Sequence, residues 1–243
     1  MVKLPNWSRD WQVEFNSDKC KVMHIGKKSL NCEYKLNSIT LKPTVSERDL
    51  GVLVDKSFKF SDHCNKVANS ANAVIGMIKR TITCRRKDIM VRLYKALVRP
   101  KLEYCVQAWC PYLKKDIEKL EKVQARAIRL ITGCKNLSYE NRLQYTGLTT
   151  LSERRTRGDM LEVFKILKGF SKVNYNNWFK LATNSRTRGH CYKLIKSRSR
   201  LDIRKNFFSQ RVVNAWNSLP SDVVQAESVN AFKNRYDKYM QGV

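Results

Sequence analysis

The chain has 243 residues, 42% of them hydrophobic, and its 48 Lys and Arg against 21 Asp and Glu give a formal net charge of +27. The hydrophobic fraction suffices for a buried core, which excludes a disordered basic tail. Such a charge opposes a compact state unless a polyanion neutralises it, so it points to nucleic acid as the partner. No stretch approaches the ~20 apolar residues of a membrane span and no apolar leader opens the chain, so we expect an intracellular protein, nuclear or cytoplasmic, that is neither secreted nor membrane-bound.

The eight cysteines include no Cys-x-x-Cys pair. Cys20 with His24, and Cys105 with Cys110, come nearest to ligand pairs, but neither is joined by a second pair at zinc-finger spacing. Reduced thiols in or near a core are therefore favoured over a disulfide framework or a structural zinc.

The first sixty residues are predicted to be β-rich. Residues 19–25 form a strand-like run, residues 34–36 and 39–42 flank a turn at Asn37 and Ser38, and Leu50, Val52 and Val54 alternate on one face of a further strand. This region is therefore interpreted as a small N-terminal β unit.

From Ser61 onwards the apolar residues recur at steps of three and four, which predicts helices. Ser61 is a candidate N-cap of the first helix, and Pro100 should kink or end the second near Arg99. Further helices are predicted over residues 114–132, from the capping box Thr150-Leu-Ser-Glu to Gly169, over residues 207–216, and after Ser228. Residues 171–200 are predicted to be a loop. The fold class is α+β, mostly α, with domains at residues 1–60, 61–135 and 136–243.

Positive charge concentrates in two stretches, each opposed by a single aspartate. Arginines, which suit bidentate phosphate contacts, are frequent in both. Tyr192, Phe207 and Phe208 lie among the second set and could stack on bases, although Phe207 and Phe208 also fit a core. The candidate nucleic-acid-binding residues are a first basic cluster (Lys79, Arg80, Arg85, Arg86, Lys87 and Arg92) and a second basic cluster (Arg186, Arg188, Lys196, Arg198, Arg200 and Arg204). Helical surfaces without a groove-reading motif indicate binding to the backbone with little sequence readout.

No catalytic residue and no metal site is predicted. A nucleotidyl transferase needs carboxylates placed close together to hold two Mg²⁺ ions, and the sequence contains no two adjacent aspartates. It also has no Gly-x-x-x-x-Gly-Lys phosphate loop and no Gly-x-Ser-x-Gly elbow, and its three histidines share no useful spacing.

Five collinear stretches resemble the reverse transcriptase of non-LTR retrotransposons of the jockey and CR1 type. They are WQVEFNSDKCKVMHIG from residue 11, DLGVLVD from 49, LYKALVRPKLEYC from 93, LEKVQARA from 120 and SRLDIRKNFF from 199. The resemblance implies that residues 1–60 are the end of a palm, 61–135 a thumb and 136–243 the region beyond it. It also implies that the Tyr-x-Asp-Asp hairpin and the fingers precede Met1 and are absent here.

The same resemblance gives roles to two parts of the β unit. Lys19 falls where the family's palm loop carries a lysine near the incoming triphosphate, which makes it a further candidate binding residue. Residues 50–55 resemble a strand of the hairpin that grips the primer end. Mg²⁺ is implied only for the intact family enzyme, and no cofactor is expected in this chain.

Two hypotheses follow. The first is a nucleic-acid-binding C-terminal fragment of an RNA-directed DNA polymerase, inactive alone, which binds the RNA or DNA backbone of a template–primer and has the parent's fingers and palm as a further partner. The alternative is a stand-alone RNA- or DNA-binding or protein-interaction module derived from the element. An enzyme of another class has no supporting motif.

Overall fold

A computed structural model describes residues 3–26, 32–36, 38–182 and 189–242 of the chain. The chain divides into two units, Met1–His63 and Cys64–Val243. The first contains the short strands, and the second is built from helices.

In the first unit, helix α1 is followed by short strands that form three two-stranded sheets. The elements are α1 (Lys3–Asp10), β1 (Lys21–Met23), β2 (Lys35–Leu36), β3 (Ile39–Thr40), β4 (Lys42–Thr44), β5 (Ser46–Asp49) and β6 (Val52–Asp55). β1 pairs with β4 in parallel, while β2 with β3 and β5 with β6 are antiparallel. Lys21 on β1 forms a 2.8 Å ion pair with Glu47 on β5.

Leu50 lies in a turn rather than in a strand. It joins β5 to β6 together with Gly51, and both residues have positive φ, +42° and +90°. A two-residue hairpin of this kind requires positive φ at both positions, and it leaves the Leu50 side chain 84% exposed. The prediction that Leu50 shares a strand face with Val52 and Val54 is therefore wrong for Leu50, because the turn replaces the strand there.

Asp55 organises the loop after β6. Its carboxylate accepts hydrogen bonds from the backbone N–H groups of Ser57 (2.7 Å) and Phe60 (3.1 Å). Burial raises the pKa of Asp55, but the hydrogen bonds to its ionised form outweigh burial and leave the pKa below its ordinary value. His63 in turn accepts a 3.0 Å hydrogen bond from the N–H of Leu53 in β6.

The helical region opens with α2 (Ser61–Thr81), α3 (Lys87–Leu93), α4 (Arg99–Glu103), α5 (Val106–Trp109) and α6 (Lys114–Ile128). The apolar stripe predicted for α2 is buried at Cys64, Ala68, Ala71, Ile75 and Ile78. Helix α6 ends at Ile128, four residues earlier than predicted, because hydrogen bonds to the residue three positions back take over at Leu130 and Ile131.

A π-helical segment, Tyr94–Val98, separates α3 from α4. Within it the N–H of Arg99 donates to the carbonyl of Tyr94, five residues back. Pro100 has no N–H to continue an α-helical ladder, so the widened turn is the local solution. The disruption predicted near Arg99 is thus a π-segment, and helical structure resumes from Arg99 to Glu103.

Gln124 on α6 is completely buried, at 0% exposure, and connects four parts of the chain. Its carbonyl oxygen accepts from the Tyr94 hydroxyl (2.5 Å), and its amide nitrogen donates to Tyr139 (2.8 Å) and to the Thr149 carbonyl (3.0 Å). The Tyr139 hydroxyl also donates to Glu121 (2.8 Å). Burial raises the pKa of both tyrosines, so both remain protonated donors at neutral pH.

The remaining helices are α7 (Tyr139–Thr146), α8 (Leu151–Leu167), α9 (Asp202–Lys205), α10 (Phe208–Asn217), α11 (Ser221–Val224) and α12 (Val229–Met240), with a 3₁₀ turn at Tyr175–Asn177. The predicted capping box is present at α8, where Thr150 accepts from the N–H of Glu153 and the Glu153 side chain accepts from the N–H of Thr150. Ser228 caps α12 as predicted.

Aromatic rings fill the core between α8, α10 and α12. Phe232 stacks on Phe164 with ring centroids 4.4 Å apart, and Trp216 and Tyr236 pack against Phe232 at 6.1 and 5.9 Å. Arg211 on α10 forms a two-point ion pair with the buried Asp159 on α8, at 2.8 and 2.9 Å.

The fold is α+β and mostly α, which confirms the predicted class. No helix in the described ranges is long and apolar enough to cross a membrane.

The Gln124 contacts predict a stability effect that is separate from side-chain size. Replacing Gln124 with Leu should lower the free energy of unfolding by about 2–4 kcal/mol, because the buried Tyr94 hydroxyl and Thr149 carbonyl lose their partners. Urea unfolding followed by circular dichroism measures the change. Gln144→Leu, at an exposed position on α7, is the matched control. A loss no larger than that of the control would contradict the assigned role.

Candidate nucleic-acid interface

Three members of the first basic cluster are exposed at helix ends. Lys79 and Arg80 lie in the last turn of α2, and Arg92 lies in the last turn of α3. Cations are favourable at these positions because the carbonyl end of a helix carries partial negative charge. Their exposed heads are also available to an anionic ligand.

Arg85 is held by the protein itself. Its guanidinium donates to the carbonyl oxygens of Lys79 (2.6 Å) and Ile78 (3.5 Å), which belong to the last turn of α2. The Ile78 carbonyl also accepts a 3.0 Å hydrogen bond from the N–H of Ile82, and Arg85 supplies a donor to the Lys79 carbonyl, so Arg85 acts as a C-terminal cap. The Arg85 carbonyl also accepts a 2.9 Å hydrogen bond from the N–H of Thr132.

Two neighbouring residues also have contacts within the chain. The Arg86 guanidinium binds both carboxylate oxygens of Asp88, at 3.2 and 3.1 Å, in a largely exposed pair. The Lys87 ammonium lies 4.8 Å from the centre of the Tyr145 ring. Because both contacts are exposed, each cation remains accessible at the surface.

The described residues of the second basic cluster follow Leu194, whose backbone is fixed to α10 by hydrogen bonds. Leu194 is buried, and both of its backbone polar groups are hydrogen-bonded at 2.8 Å to the side-chain amide of Asn217 on α10. Lys196, Arg198 and Arg200 follow in an irregular, exposed stretch, and Arg204 is exposed on α9. Arg186 and Arg188 lie outside the described residues.

Lys19 belongs to the first unit. It is exposed in the turn before β1, and its backbone N–H donates to the side chain of Asn16 at 3.2 Å. No role for its ammonium group follows from these contacts alone.

Sequence reasoning missed a groove between α2 and α6. The space within it measures about 460 Å³, and it is lined mainly by amide and cationic side chains. None of the described residues that line it carries a carboxylate. We call this feature the α2–α6 groove; its polar lining is Asn65, Asn69 and Asn72 from α2 and Lys119, Lys122 and Arg126 from α6.

Two hydrogen bonds cross the α2–α6 groove. Lys119 donates to the side-chain oxygen of Asn65, and Arg126 donates to that of Asn72 at 2.6 Å. Both pairs are separated by 54 residues, so the two helices run in the same direction with a constant register. Seven residues are close to two helical turns, which returns each side chain to the same face.

The crossing bonds leave the groove rich in hydrogen-bond donors. Each uses one of the three donors of the Lys119 ammonium and one of the five of the Arg126 guanidinium. Since the amide oxygens face cations, the amide NH₂ groups of Asn65 and Asn72 are left as donors. Such a lining suits phosphate oxygens, which only accept hydrogen bonds.

A signal for this groove was present in the sequence. Asn65, Asn69 and Asn72 recur at helical spacing, but asparagine has no helical preference and attracted no attention. In the structure Glu118 pairs with Lys114 at 3.9 Å, and Glu121 is engaged by Tyr139 and by the N–H of Ser152.

No cluster of three or more His, Cys, Asp or Glu side chains that could hold a metal ion is found in the described part of the chain. Cys64 is fully buried, and burial raises the pKa of its thiol to about 12. Seven cysteines are free thiols, namely Cys20, Cys64, Cys84, Cys105, Cys110, Cys134 and Cys191.

Comparison with known proteins finds relatives among mobile elements. The RNA-directed DNA polymerase from mobile element jockey of Drosophila funebris is 28% identical over 131 residues, and that of Drosophila melanogaster is 24% identical over 131 residues. A probable RNA-directed DNA polymerase from transposon X-element of Drosophila melanogaster is 24% identical over 136 residues. No protein-family model and no solved structure matches the chain.

These matches cover 52–54% of the chain and 14–15% of each relative. The resemblance to non-LTR retrotransposon reverse transcriptases is confirmed over about half of the chain, and the chain spans only a small part of the curated relatives.

The geometry of Arg85 predicts that replacing it lowers the stability of the fold. Arg85→Gln should lower the free energy of unfolding by about 1 kcal/mol, because the carbonyls of the last turn of α2 lose a charged donor. Arg80→Gln removes the same charge from an exposed position in that turn and is the control; it should cost less, because it removes the charge at the helix end but no hydrogen bond to a carbonyl. Thermal and urea unfolding of both variants measure the difference; equal effects would contradict the capping role.

Proposed function

We propose that this chain is the nucleic-acid-binding part of a reverse transcriptase of a jockey-type element, and that it holds the backbone of an RNA or DNA template–primer. Its similarity to RNA-directed DNA polymerases supports nucleic acid as the ligand. The net charge of +27 supports binding that is dominated by phosphate contacts and reads little sequence.

The α2–α6 groove is the observation that carries this proposal. It combines three cations with three amides, and none of the described residues lining it repels a phosphate. The crossing bonds at its two ends lie seven residues apart, about 10 Å along the helix, comparable with the rise of about three nucleotides in one strand. The groove therefore has the length and the donors for a short run of backbone.

The first basic cluster extends the same face of α2. Asn65, Asn69 and Asn72 are followed at steps of four and three by Gly76 and Lys79. Lys79 thus continues the amide row by two turns, and the Arg80 guanidinium lies close to Gly76 between them. Arg80 adds an exposed cation at this end, where the Arg85 guanidinium hydrogen-bonds the helix carbonyls.

We extend the proposal to the position of each part of the chain, following the resemblance in sequence. Residues 1–60 correspond to the end of the palm, 61–135 to the thumb and 136–243 to the region beyond it. The groove then lies in the thumb, and Lys19 lies in the palm portion. The fingers and the rest of the palm of the parent polymerase are the protein partner that this assignment implies.

Neutralising the groove should weaken binding to every sequence alike. The triple variant Lys119→Gln, Lys122→Gln and Arg126→Gln should lower affinity for an RNA–DNA duplex by about 10- to 100-fold at low salt and reduce the slope of log K against log salt by about 3. Fluorescence anisotropy with two unrelated duplex sequences at several salt concentrations measures both quantities.

The matched control removes the same charge elsewhere. Lys135→Gln, Lys172→Gln and Lys238→Gln together neutralise three exposed lysines outside the groove and both basic clusters. Equal losses in the two triple variants would mean that only net charge matters, and the groove would carry no site. Loss at only one of the two sequences would indicate base readout instead.

The proposal also predicts that binding occurs without polymerisation. The sequence has no adjacent aspartates to hold two Mg²⁺ ions, so the chain should not extend a primer in the presence of Mg²⁺ and deoxynucleoside triphosphates. An extension assay on the sample used for binding measures this. Primer extension above that of a heat-inactivated sample would contradict the proposal and reveal a carboxylate site assembled from distant residues.

A further inference from the structure

Two aromatic side chains remain on the surface beside the core of the second unit. Trp178 and Phe207 are 39% and 42% exposed, and their rings are parallel to within 2°, with centroids 6.3 Å apart. Their sequence neighbours Phe179 and Phe208 are buried, each at 4% exposure. Of each two consecutive aromatic residues, the second packs in the core and the first stays at the surface. We call Trp178 and Phe207 the aromatic platform.

Local structure holds the aromatic platform in place. The N–H of Trp178 donates to the Tyr175 carbonyl at 2.9 Å, and the Phe207 residue directly precedes α10. Trp178 also meets the buried Phe208 ring edge-on, with centroids 6.1 Å apart. Because its rings rest on a packed core, little conformational entropy is lost when they contact a ligand.

The surroundings of the aromatic platform are cationic. The Arg204 guanidinium lies 5.4 Å from the centre of the Phe207 ring. Lys180, Arg200 and Lys205 are exposed close to it in the chain, and the acid in this stretch, Asp202, is paired with Lys205 at 3.1 Å. An apolar protein partner needs no such charge, whereas a strand of nucleic acid offers bases to the rings and phosphates to the cations.

We propose that the aromatic platform stacks on unpaired bases of a single-stranded stretch of nucleic acid, while Lys180, Arg200 and Arg204 contact its phosphates. This inference rests on the proposed function. It adds a second site, which binds single-stranded nucleic acid, whereas the α2–α6 groove binds the backbone of a template–primer. Paired bases in a duplex present only their edges in the grooves, so the platform selects strands whose bases are free to stack.

The test compares strands that differ only in their bases. The full chain is titrated with a labelled 12-nucleotide oligothymidylate, with an abasic strand of equal length and charge, and with a 12-base-pair duplex. The wild-type chain should bind the oligothymidylate about 5- to 100-fold more tightly than the abasic strand. The double variant Trp178→Leu and Phe207→Leu should lose that preference and keep its affinity for the duplex.

Two further variants control for packing and for the loss of exposed rings. Trp178→Phe with Phe207→Tyr keeps two aromatic faces and should retain the preference. Trp7→Leu with Trp11→Leu removes two exposed rings from the first unit, whose planes are tilted by 33°, and should retain it as well. Equal losses in the Trp7/Trp11 and Trp178/Phe207 variants would overturn the platform.

The outcomes separate this inference from the proposed function. Binding of duplex and abasic strand without any preference for bases would overturn the platform alone, and the groove variant should still weaken both. Failure to bind any of the three probes would overturn the proposed function and the platform with it. If the wild-type chain self-associates in sedimentation and the Leu double variant does not, the rings form a contact between copies, which would also overturn the platform.

Discussion

The buried amide of Gln124 is the interaction on which the candidate binding surface depends. An amide at 0% exposure must satisfy both its oxygen and its nitrogen, and Tyr94, Tyr139 and the Thr149 carbonyl do so only in one rotation of α6 about its axis. The cationic side of α6 then has to face α2. The surface chemistry of the groove is thus fixed by a hydrogen-bond network in the interior, rather than by contacts at the surface itself.

Three acidic residues in the helical unit are engaged by arginines from distant segments. Glu103 binds Arg154, Asp159 binds Arg211, and Asp237 binds Arg157, so each pair ties two helices together. Burial raises the pKa of Asp159 even though Arg211 opposes the shift. These three carboxylates therefore neutralise arginines between helices, and the excess of positive charge is presented by lysines and arginines outside such pairs. Because the paired arginines are neutralised and the other cations are not, the positive net charge is concentrated on the surface of the protein.

Local signals in the sequence predicted local structure well. The capping box at Thr150, the cap at Ser228 and the apolar stripe of α2 all depend on residues within a few turns of each other. The strand prediction was wrong for Leu50 because an apolar residue in a hairpin turn can fit the same alternating pattern as the strand that follows it. The groove could not be predicted, since Asn65 and Lys119 meet only through the packing of two helices. The contacts of Arg85 could not be predicted for a related reason: its cluster indicated charge, while its partners are backbone carbonyls that no side-chain pattern reveals.

The constant 54-residue offset between α2 and α6 constrains how the chain can change length. Insertions in the connections between the two helices alter the offset without moving either helix face. One extra residue between Asn65 and Asn72 would instead rotate everything beyond it by about 100°, carrying Asn72 away from Arg126 and the apolar stripe away from the core. In related elements, point substitutions should therefore accumulate along these two helices, while insertions and deletions should be confined to the segments that join them.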